Sequence, residues 1–448
     1  MLRRDGQTPE AVPARATRAG DAQEPPGSRD WAWAEPSVWT PRMLAALEVG
    51  VKGGKWYSLM DKVYAPATLE AAFIKVAANA GAAGVDHVTI EQFVDDLDVN
   101  LERLSEGLRH ASYRPQAIRR HYIPKPGSSE KRPLGIPTVR DRVVQAAVRT
   151  VLEPIFERDF AAQSYGFRPQ RGCKDALRRV NELLAAGYTN IVDADLKSYF
   201  DSIPKDRLLM LIKQKVTDGR ILALIEAFLE QKVMDGMEEW TPTQGTPQGA
   251  VISPLLSNIY LDPLDHWMAR QGFEMVRYAD DFVVLCRDRW EAEEALDAVQ
   301  RWTAAAGLSL HPTKTRLVNA RFQAFEFLGY RFTAHTRRPR AKSLERFKDV
   351  IRAKTKRTSG RALSVIIEDV NRTLRGWFEY FKHSHPDTFP PLDKWIRRRL
   401  RSILRKRHKG RGISRGFDHI NWPNAFFAKQ GLFSLQIAHA QARQSSRR

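Results

Sequence analysis

Apolar residues recur at helical spacing in the first part of the chain. "MLAALEVGV", "LEAAFIKVAANA" and "IEQFVDDLDVNLERLSEGL" place them three and four apart, which predicts helices from Met43 to about Ser112. The Gly-rich "GAAGVD" (Gly81 to Asp86) interrupts them. Between residues 120 and 335 the period alternates. "HYIPKPGSSEKRPLGIPT" reads as a β-hairpin with a Gly-Ser turn, and "RVVQAAVRTVLEPIFERDF" as an amphipathic helix. "NIVDADL" is a short strand, while "DRLLMLIKQKV" and "ILALIEAFLEQKV" are helices. "VRYADDFVVLC" reads as two short strands around a turn, followed by the helix "WEAEEALDAVQRWTAAAGL", and "FEFLGYRF" as a further strand or hairpin. Helices mixed with mostly non-sequential strands predict an α+β fold. From about Ser343 the pattern is helical and basic; in "ALSVIIEDVNRTLRGWFEYFKH", Trp377, Phe378, Tyr380 and Phe381 are expected as the core of a helical bundle.

The N-terminal stretch is rich in Pro, Ala and Arg and lacks the apolar segment of a secretory signal. Residues 1–40 are therefore expected to be a disordered extension. The rest divides into 41–335 as the mixed region, 336–415 as a helical domain, and 416–448 as a basic tail. A length of 448 residues implies two or three cores.

Composition narrows the function. No apolar run approaches the roughly 20 residues that cross a bilayer, so no membrane partner is expected. The two cysteines, Cys173 and Cys286, exclude a disulfide framework and a Cys-rich zinc module, which points to a reducing, cytoplasmic setting. Cys286 reads as core and Cys173 as helix-start packing. The formal charge of +20, from 72 Lys and Arg against 52 Asp and Glu, favours a polyanionic partner: nucleic acid before an anionic membrane surface. The charge concentrates between Asp393 and Arg415, where a single acid stands among Arg397, Arg398, Arg399, Arg401, Arg405, Lys406, Arg407 and their neighbours. As a solvated helix face such a run would repel itself; as an RNA-binding face it would not.

Against that background, Asp280 and Asp281 inside "VRYADDFVV" stand out, because desolvating a charge is costly. Neighbouring side chains of a strand point to opposite faces. A tight turn with Ala279, Asp280 and Asp281 at its tip would aim both acids toward one place. A second acid, Asp195, ends the strand in "NIVDADLKSYF". Three carboxylates brought together would raise one another's pKa unless cations neutralise them. Oxygen ligands without His or Cys suit Mg²⁺, and two such ions support in-line phosphoryl transfer.

The ordered blocks "IPKPGSSEKRPLGIPTVRDRVVQ", "QSYGFRPQRGCKDAL", "DADLKSYFDSI", "GTPQGAVISPLLSNIYL", "RYADDFVVLC", "GLSLHPTKTR", "FEFLGY", "LRGWFEYF" and "WPNAFFAKQGLFSL" carry a resemblance. From about Trp39 to Leu435 the chain resembles the reverse transcriptases of bacterial group II introns, which also act as splicing maturases. The resemblance implies a right-hand polymerase of fingers, palm and helical thumb, followed by a basic maturase domain. Its implied partners are the intron RNA, an RNA template with a DNA primer, target DNA and dNTPs. Its implied cofactor is a pair of Mg²⁺ ions, with Mn²⁺ as a substitute.

By that resemblance Asp195, Asp280 and Asp281 are catalytic. Asp195 and Asp280 are the main metal ligands, Asp281 is a supporting acid, and the Leu196 carbonyl is a further ligand. Asp193 and Asp201 stand nearby, Asp201 as a cap of the helix beginning near Pro204. Phe200 resembles the steric gate that rejects a 2′-hydroxyl, against the default of a core phenylalanine. Gln248 is placed near the nascent base pair, and the bare side of Gly249 toward the template strand. Lys125 and Arg132 are placed on the triphosphate, with RNA backbone as the alternative. Lys314 is placed at the departing pyrophosphate, and "FLGY" (Phe327 to Tyr330) at the primer end. The absence of a C-terminal Cys pair resembles the form without a DNA endonuclease, expected to leave the second target strand unnicked. Other readings are a non-catalytic RNA-binding splicing factor and a domesticated reverse transcriptase of DNA repair or phage defence.

Overall fold

A computed structural model describes residues 30–124, 131–412 and 416–445. Five helices come first: α1 (Pro41–Val49), α2 (Met60–Val63), α3 (Pro66–Ala78), α4 (Ile90–Asp95) and α5 (Leu97–Arg109). Thr89 and Gln92 close α4 with a reciprocal capping box, as the Thr-x-x-Gln spacing allows. The segment before α1 is not a loose extension where it is described. Trp31 and Trp39 are buried, and the Trp39 indole donates to the Thr150 carbonyl at 3.1 Å. Tryptophan surface of that size is too large to leave in water. The expectation of disorder for residues 1–29 lies outside the described residues.

Strands β1 (Ile118–Pro124) and β2 (Lys131–Ile136) pair antiparallel, as the expected hairpin requires. Helix α6 (Val139–Glu157) follows, capped by Thr138. It was expected to be amphipathic but is buried on nearly every side, because α2, α3, α5 and α11 (Ser253–Arg270) all pack on it. Next come α7 (Cys173–Ala185), β3 (Asn190–Asp195), α8 (Tyr199–Ser202), α9 (Lys205–Lys213) and α10 (Gly219–Leu229). Strands β4 (Val233–Asp235) and β5 (Glu238–Trp240) then extend the first sheet to the order β2-β1-β4-β5.

After α11 the chain forms β6 (Glu274–Tyr278), β7 (Asp281–Cys286), α12 (Arg289–Ala305) and β8 (Arg316–Asn319). With β3 they make an antiparallel sheet in the order β6-β7-β3-β8. Val192, Phe282 and Val284 lie in the core beneath one face, whereas Ile191, Val283 and Leu285 join a second core on the other. That two-sided burial explains why β7 is continuously apolar. The second core also takes in β9 (Phe325–Phe327) and β10 (Tyr330–Phe332), which with β11 (Arg337–Pro339) form a three-stranded sheet.

Helices α13 (Ala341–Lys354), α14 (Leu363–Phe381), α15 (Phe389–Arg407), α16 (Gly416–Asn421), α17 (Asn424–Lys429) and α18 (Leu435–Ser445) complete the chain. Residues 416–445 are not a tail. Phe427 and Leu435 are buried in the same core as Ile396 and Leu400 of α15. Asp393, the single acid of the basic run, is buried and accepts the Leu435 N–H at 3.0 Å and the Gln436 N–H at 3.1 Å. It satisfies orphan donors at the start of α18. Among the described residues no helix is long and apolar enough to cross a membrane.

Candidate active site

The register of two strands builds the site. Asp195 ends β3 and Asp281 begins β7, and the two are directly paired. Tyr278 pairs with Asp281 across the β6–β7 hairpin, so Ala279 and Asp280 alone form the turn. Asp281 is therefore a strand residue beside the tip rather than part of it. Ala279 has φ 60°, a left-handed conformation that costs a non-glycine residue about 1–2 kcal/mol. The turn folds this way because it is gripped from below: the N–H of Tyr165 donates to the Arg277 carbonyl at 2.9 Å, and the N–H of Arg277 to the Gln163 carbonyl at 3.0 Å.

Crowded acids shift one another. Enclosure by the fold, and after it the charges of Asp280, Asp193 and Asp195, push the Asp281 carboxyl up to about 7, although the residue as a whole is exposed. Burial, and after it the Asp195 charge, raises Asp280, against the opposing pull of Arg132 and Arg277. Asp193 is raised by burial and held by Arg316 at 2.9 Å. Asp195 takes the Lys314 ammonium at 2.6 Å.

A divalent cation fits this donor set. The donors are carboxylate oxygens, and burial, followed by the charges of the neighbouring acids, raises the carboxyls of Asp280 and Asp281, which a bound cation would offset. Among the described residues no three His, Cys, Asp or Glu side chains converge into a ready cage. The expected cage of three acids is thus not preformed, and one Asp195 oxygen is turned to Lys314. Mg²⁺ needs less: it commonly takes one or two carboxylates and completes its shell with water and substrate phosphate.

The other expected residues surround this centre unevenly. The Arg132 charge reaches Asp280 from β2. Lys125 lies outside the described residues. Phe200 on α8 is half-buried, edge-on to Tyr199 at 5.4 Å, and its carbonyl accepts the Thr246 N–H at 2.7 Å. Leu196 is buried and bridges to Leu310. The Gln248 carbonyl accepts the Gly135 N–H at 2.6 Å. Gly249 has φ 110°, and a Cβ there would stand 2.4 Å from the Gly135 carbonyl. Its bare side therefore faces β2, not a template strand. Asp201 does not cap α9: it lies within α8, and Pro204 occupies the cap without a side-chain bond.

The basic helix α15 needs the larger correction. Arg401 is 1% exposed, donating to the Trp422 carbonyl and the Asn424 side chain, both at 2.8 Å. Arg399 binds Thr355, Arg405 binds Asp418, and Arg407 binds the Arg361 carbonyl. These groups tie helices together. Arg398 and Lys406 are exposed, and Arg397 is half-buried.

Two groups escaped the sequence reading. Arg277 and Asp265 form a fully buried ion pair at 2.5 Å beneath the turn. Gly166 abuts that turn, since a Cβ there would stand 2.2 Å from the Ala279 nitrogen. The one signal was an arginine at an inward position of an apolar strand.

An antiparallel palm with paired strand-end aspartates, faced by a basic hairpin, defines a template-directed nucleic acid polymerase. The reverse transcriptase (RNA-dependent DNA polymerase) family matches residues 123–332, and the group II intron maturase-specific domain matches residues 344–419. The chain belongs to the group II intron reverse transcriptase and maturase family, and it is an RNA-directed DNA polymerase of that family. It is 31% identical to Protein YkfC of Escherichia coli K12, over 67% of this chain and 85% of that one. It is 38% identical to the group II intron-encoded protein LtrA of Lactococcus lactis subsp. cremoris, over 44% of this chain and 33% of LtrA. A 91 kDa protein in the cob intron of Schizosaccharomyces pombe is 29% identical over 58% of this chain and 39% of its own length. The chain thus aligns with most of YkfC but with about a third of LtrA.

Proposed function

We propose that the enzyme extends the 3′-hydroxyl of a DNA primer along an RNA template with dNTPs, and that its C-terminal helices bind the RNA of a bacterial group II intron to assist splicing and mobility. The observation that carries the polymerase reading is the direct pairing of Asp195 with Asp281 beside the turn holding Asp280. In the reaction the primer oxygen attacks the α-phosphorus, the bond to pyrophosphate breaks, and the hydroxyl proton leaves to solvent. Asp195 and Asp280, with the Leu196 carbonyl, would hold Mg²⁺, which supplies charge neutralisation and a more acidic primer hydroxyl. Asp281 supports them.

Arg132 and Lys125 receive the triphosphate, the arginine through its planar fork. Phe200 lies beneath the sugar, and Gln248 stands near the nascent pair. Lys314 moves from Asp195 toward the departing pyrophosphate. Exposed Arg398 and Lys406, with Arg397 beside them, contact intron RNA. The protein's contribution to splicing is linkage: it binds the active RNA fold and so populates it. Primer extension on an RNA template with dNTPs and Mg²⁺ tests this, alongside a splicing assay. Asp280→Ala should abolish cDNA synthesis and leave splicing assistance in place. Full extension by that variant would overturn the assignment of the site.

A further inference from the structure

A charged pair beneath the catalytic turn invites a bland reading, in which Arg277 and Asp265 simply neutralise each other. A buried ion pair is weak evidence for stability, because desolvation offsets most of the attraction. The hydrogen-bond geometry here says more. Arg277 gives Nε–H and Nη2 to Asp265, at 2.8 and 2.5 Å. It gives Nη1 elsewhere: to the Asn258 side-chain oxygen at 2.9 Å and to the Ala279 carbonyl at 2.8 Å. A guanidinium has five donors in a rigid fork, so fixing one edge on Asp265 fixes where the other edge points. Asn258 is itself held, donating to the Gly166 carbonyl at 2.8 Å. Gly166 in turn lies against the Ala279 nitrogen with no room for a side chain. Ala279 is thus clamped at its carbonyl by Arg277 and at its nitrogen by Gly166, in a left-handed conformation that alanine does not favour. The next residue is Asp280.

We propose that Arg277 is a positioning residue of the polymerase: braced by Asp265 and Asn258, it fixes the Ala279 carbonyl and so the direction in which the Asp280 carboxylate leaves the turn. Asp265 serves to hold the guanidinium flat and aimed. The proposal rests on the reading of Asp280 as catalytic. It separates Arg277 from an ordinary buried ion pair, whose apolar replacement would cost nothing.

The double variant Arg277→Met/Asp265→Leu tests it. Replacing both partners removes the charge without leaving either one buried alone, an exchange proteins commonly tolerate. The expected result is a folded protein with primer–template affinity and dNTP KM within about twofold of wild type, and kcat lower by about 10- to 100-fold, the scale of a small misplacement at a reacting centre. A folded double variant with wild-type kcat overturns the proposal. Arg277→Lys is the companion variant: it keeps the charge opposite Asp265 but loses the fork. With a melting temperature near wild type it should show the same selective loss of kcat, and an unchanged kcat would equally overturn the clamp. Asp280→Ala runs beside them. If it stays active, the reading of the site has failed, and not the clamp.

Discussion

The Tyr380 hydroxyl, on α14 of the maturase domain, donates to the backbone carbonyl of Leu328 in the β9–β10 turn over 2.7 Å. The backbone of the same Leu328 pulls the Asp281 carboxyl down, against the enclosure and the neighbouring acids that raise it. The Tyr330 hydroxyl returns from β10 to the Tyr380 carbonyl at 2.6 Å. One left-handed residue, Leu328 with φ 47°, thus lies between a thumb helix and a palm acid. Tyr380→Phe removes a hydroxyl and keeps the ring packed on Phe381 and Tyr330. It should cost about 1 kcal/mol of stability, the net worth of one such bond. Primer extension at saturating primer–template should slow, while intron RNA affinity, measured by filter binding, stays constant. Unchanged extension would mean that Leu328 holds Asp281 without help from the thumb.

Lys314 stands where a cation is wanted. Its ammonium, 2.6 Å from Asp195, compensates a carboxylate that the proposed reaction assigns to a metal. The lysine and the metal compete for that oxygen. Lys314→Met should tighten binding of Mn²⁺, read by its electron paramagnetic resonance signal in the absence of nucleotide. The same variant should slow pyrophosphate-forming turnover, so affinity and rate move in opposite senses. Weaker metal binding by the variant would show that the ammonium assists the site rather than blocking it.

A pH dependence follows from Asp281. Its carboxyl is raised to about 7 by enclosure and by the neighbouring acids. For a carboxyl raised on folding, the stabilising contribution is complete below the unfolded value near 4 and is lost as pH rises through the folded one. The metal-free protein should therefore lose melting temperature between pH 5 and pH 8, within the range where this group ionises. Mg²⁺ should restore more of it at the higher pH, where the carboxylate is charged. Asp281→Asn should flatten both trends, and scanning calorimetry reads all of these.

How far the sequence could be read depended on where each residue's partners lie. Asp195, Asp280 and Asp281 were legible because an acid in an apolar strand is anomalous by itself, and two such strands are easily brought together. β3, β6, β7 and α12 were legible too, whereas β8 and α11, which complete the sheet and its support, were not read as elements. Arg277 was not. Its partners Asp265 and Asn258 come from α11, and Gly166, which braces Asn258, from a further segment; the one local signal was its inward position in an apolar strand. Arg401 failed the opposite way. Charge density predicted an RNA-binding face, but the residue is satisfied by a carbonyl and an amide from a turn that follows much later. Gly249 was read as an opening toward nucleic acid, because its contact with Gly135 exists only after the first sheet docks.

Phe200 offers a test of specificity. Its ring is half-buried and edge-on to the fully buried Tyr199, so its position is set by packing rather than by the nucleotide. A ring held in that way resists displacement by an incoming 2′-hydroxyl. Phe200→Val should raise incorporation of ribonucleotides relative to deoxyribonucleotides by about 10- to 100-fold, the range expected from reshaping one pocket contact. Single-nucleotide extension with each substrate measures the ratio. An unchanged ratio would return Phe200 to an ordinary core role.

The arginines of α15 should separate into two kinds under mutation. Arg401 is buried, spans from α15 to the α16–α17 turn, and lies over the Phe427 ring at 5.2 Å. Arg401→Ala would leave the Trp422 carbonyl and the Asn424 amide oxygen without their donor, at a cost of about 1–3 kcal/mol. The expected result is a lower melting temperature of the maturase domain, with loss of RNA binding only as the domain unfolds. Arg398 and Lys406 are exposed on the same helix. Arg398→Ala and Lys406→Ala should leave the melting temperature in place, weaken intron RNA binding, and reduce the salt dependence of the affinity, as removing a phosphate contact does. Affinity measured across a salt series, beside a thermal melt of each variant, separates the two behaviours. A salt slope that changed for Arg401→Ala in the folded state, and for neither exposed variant, would place the RNA on a different face of this helix.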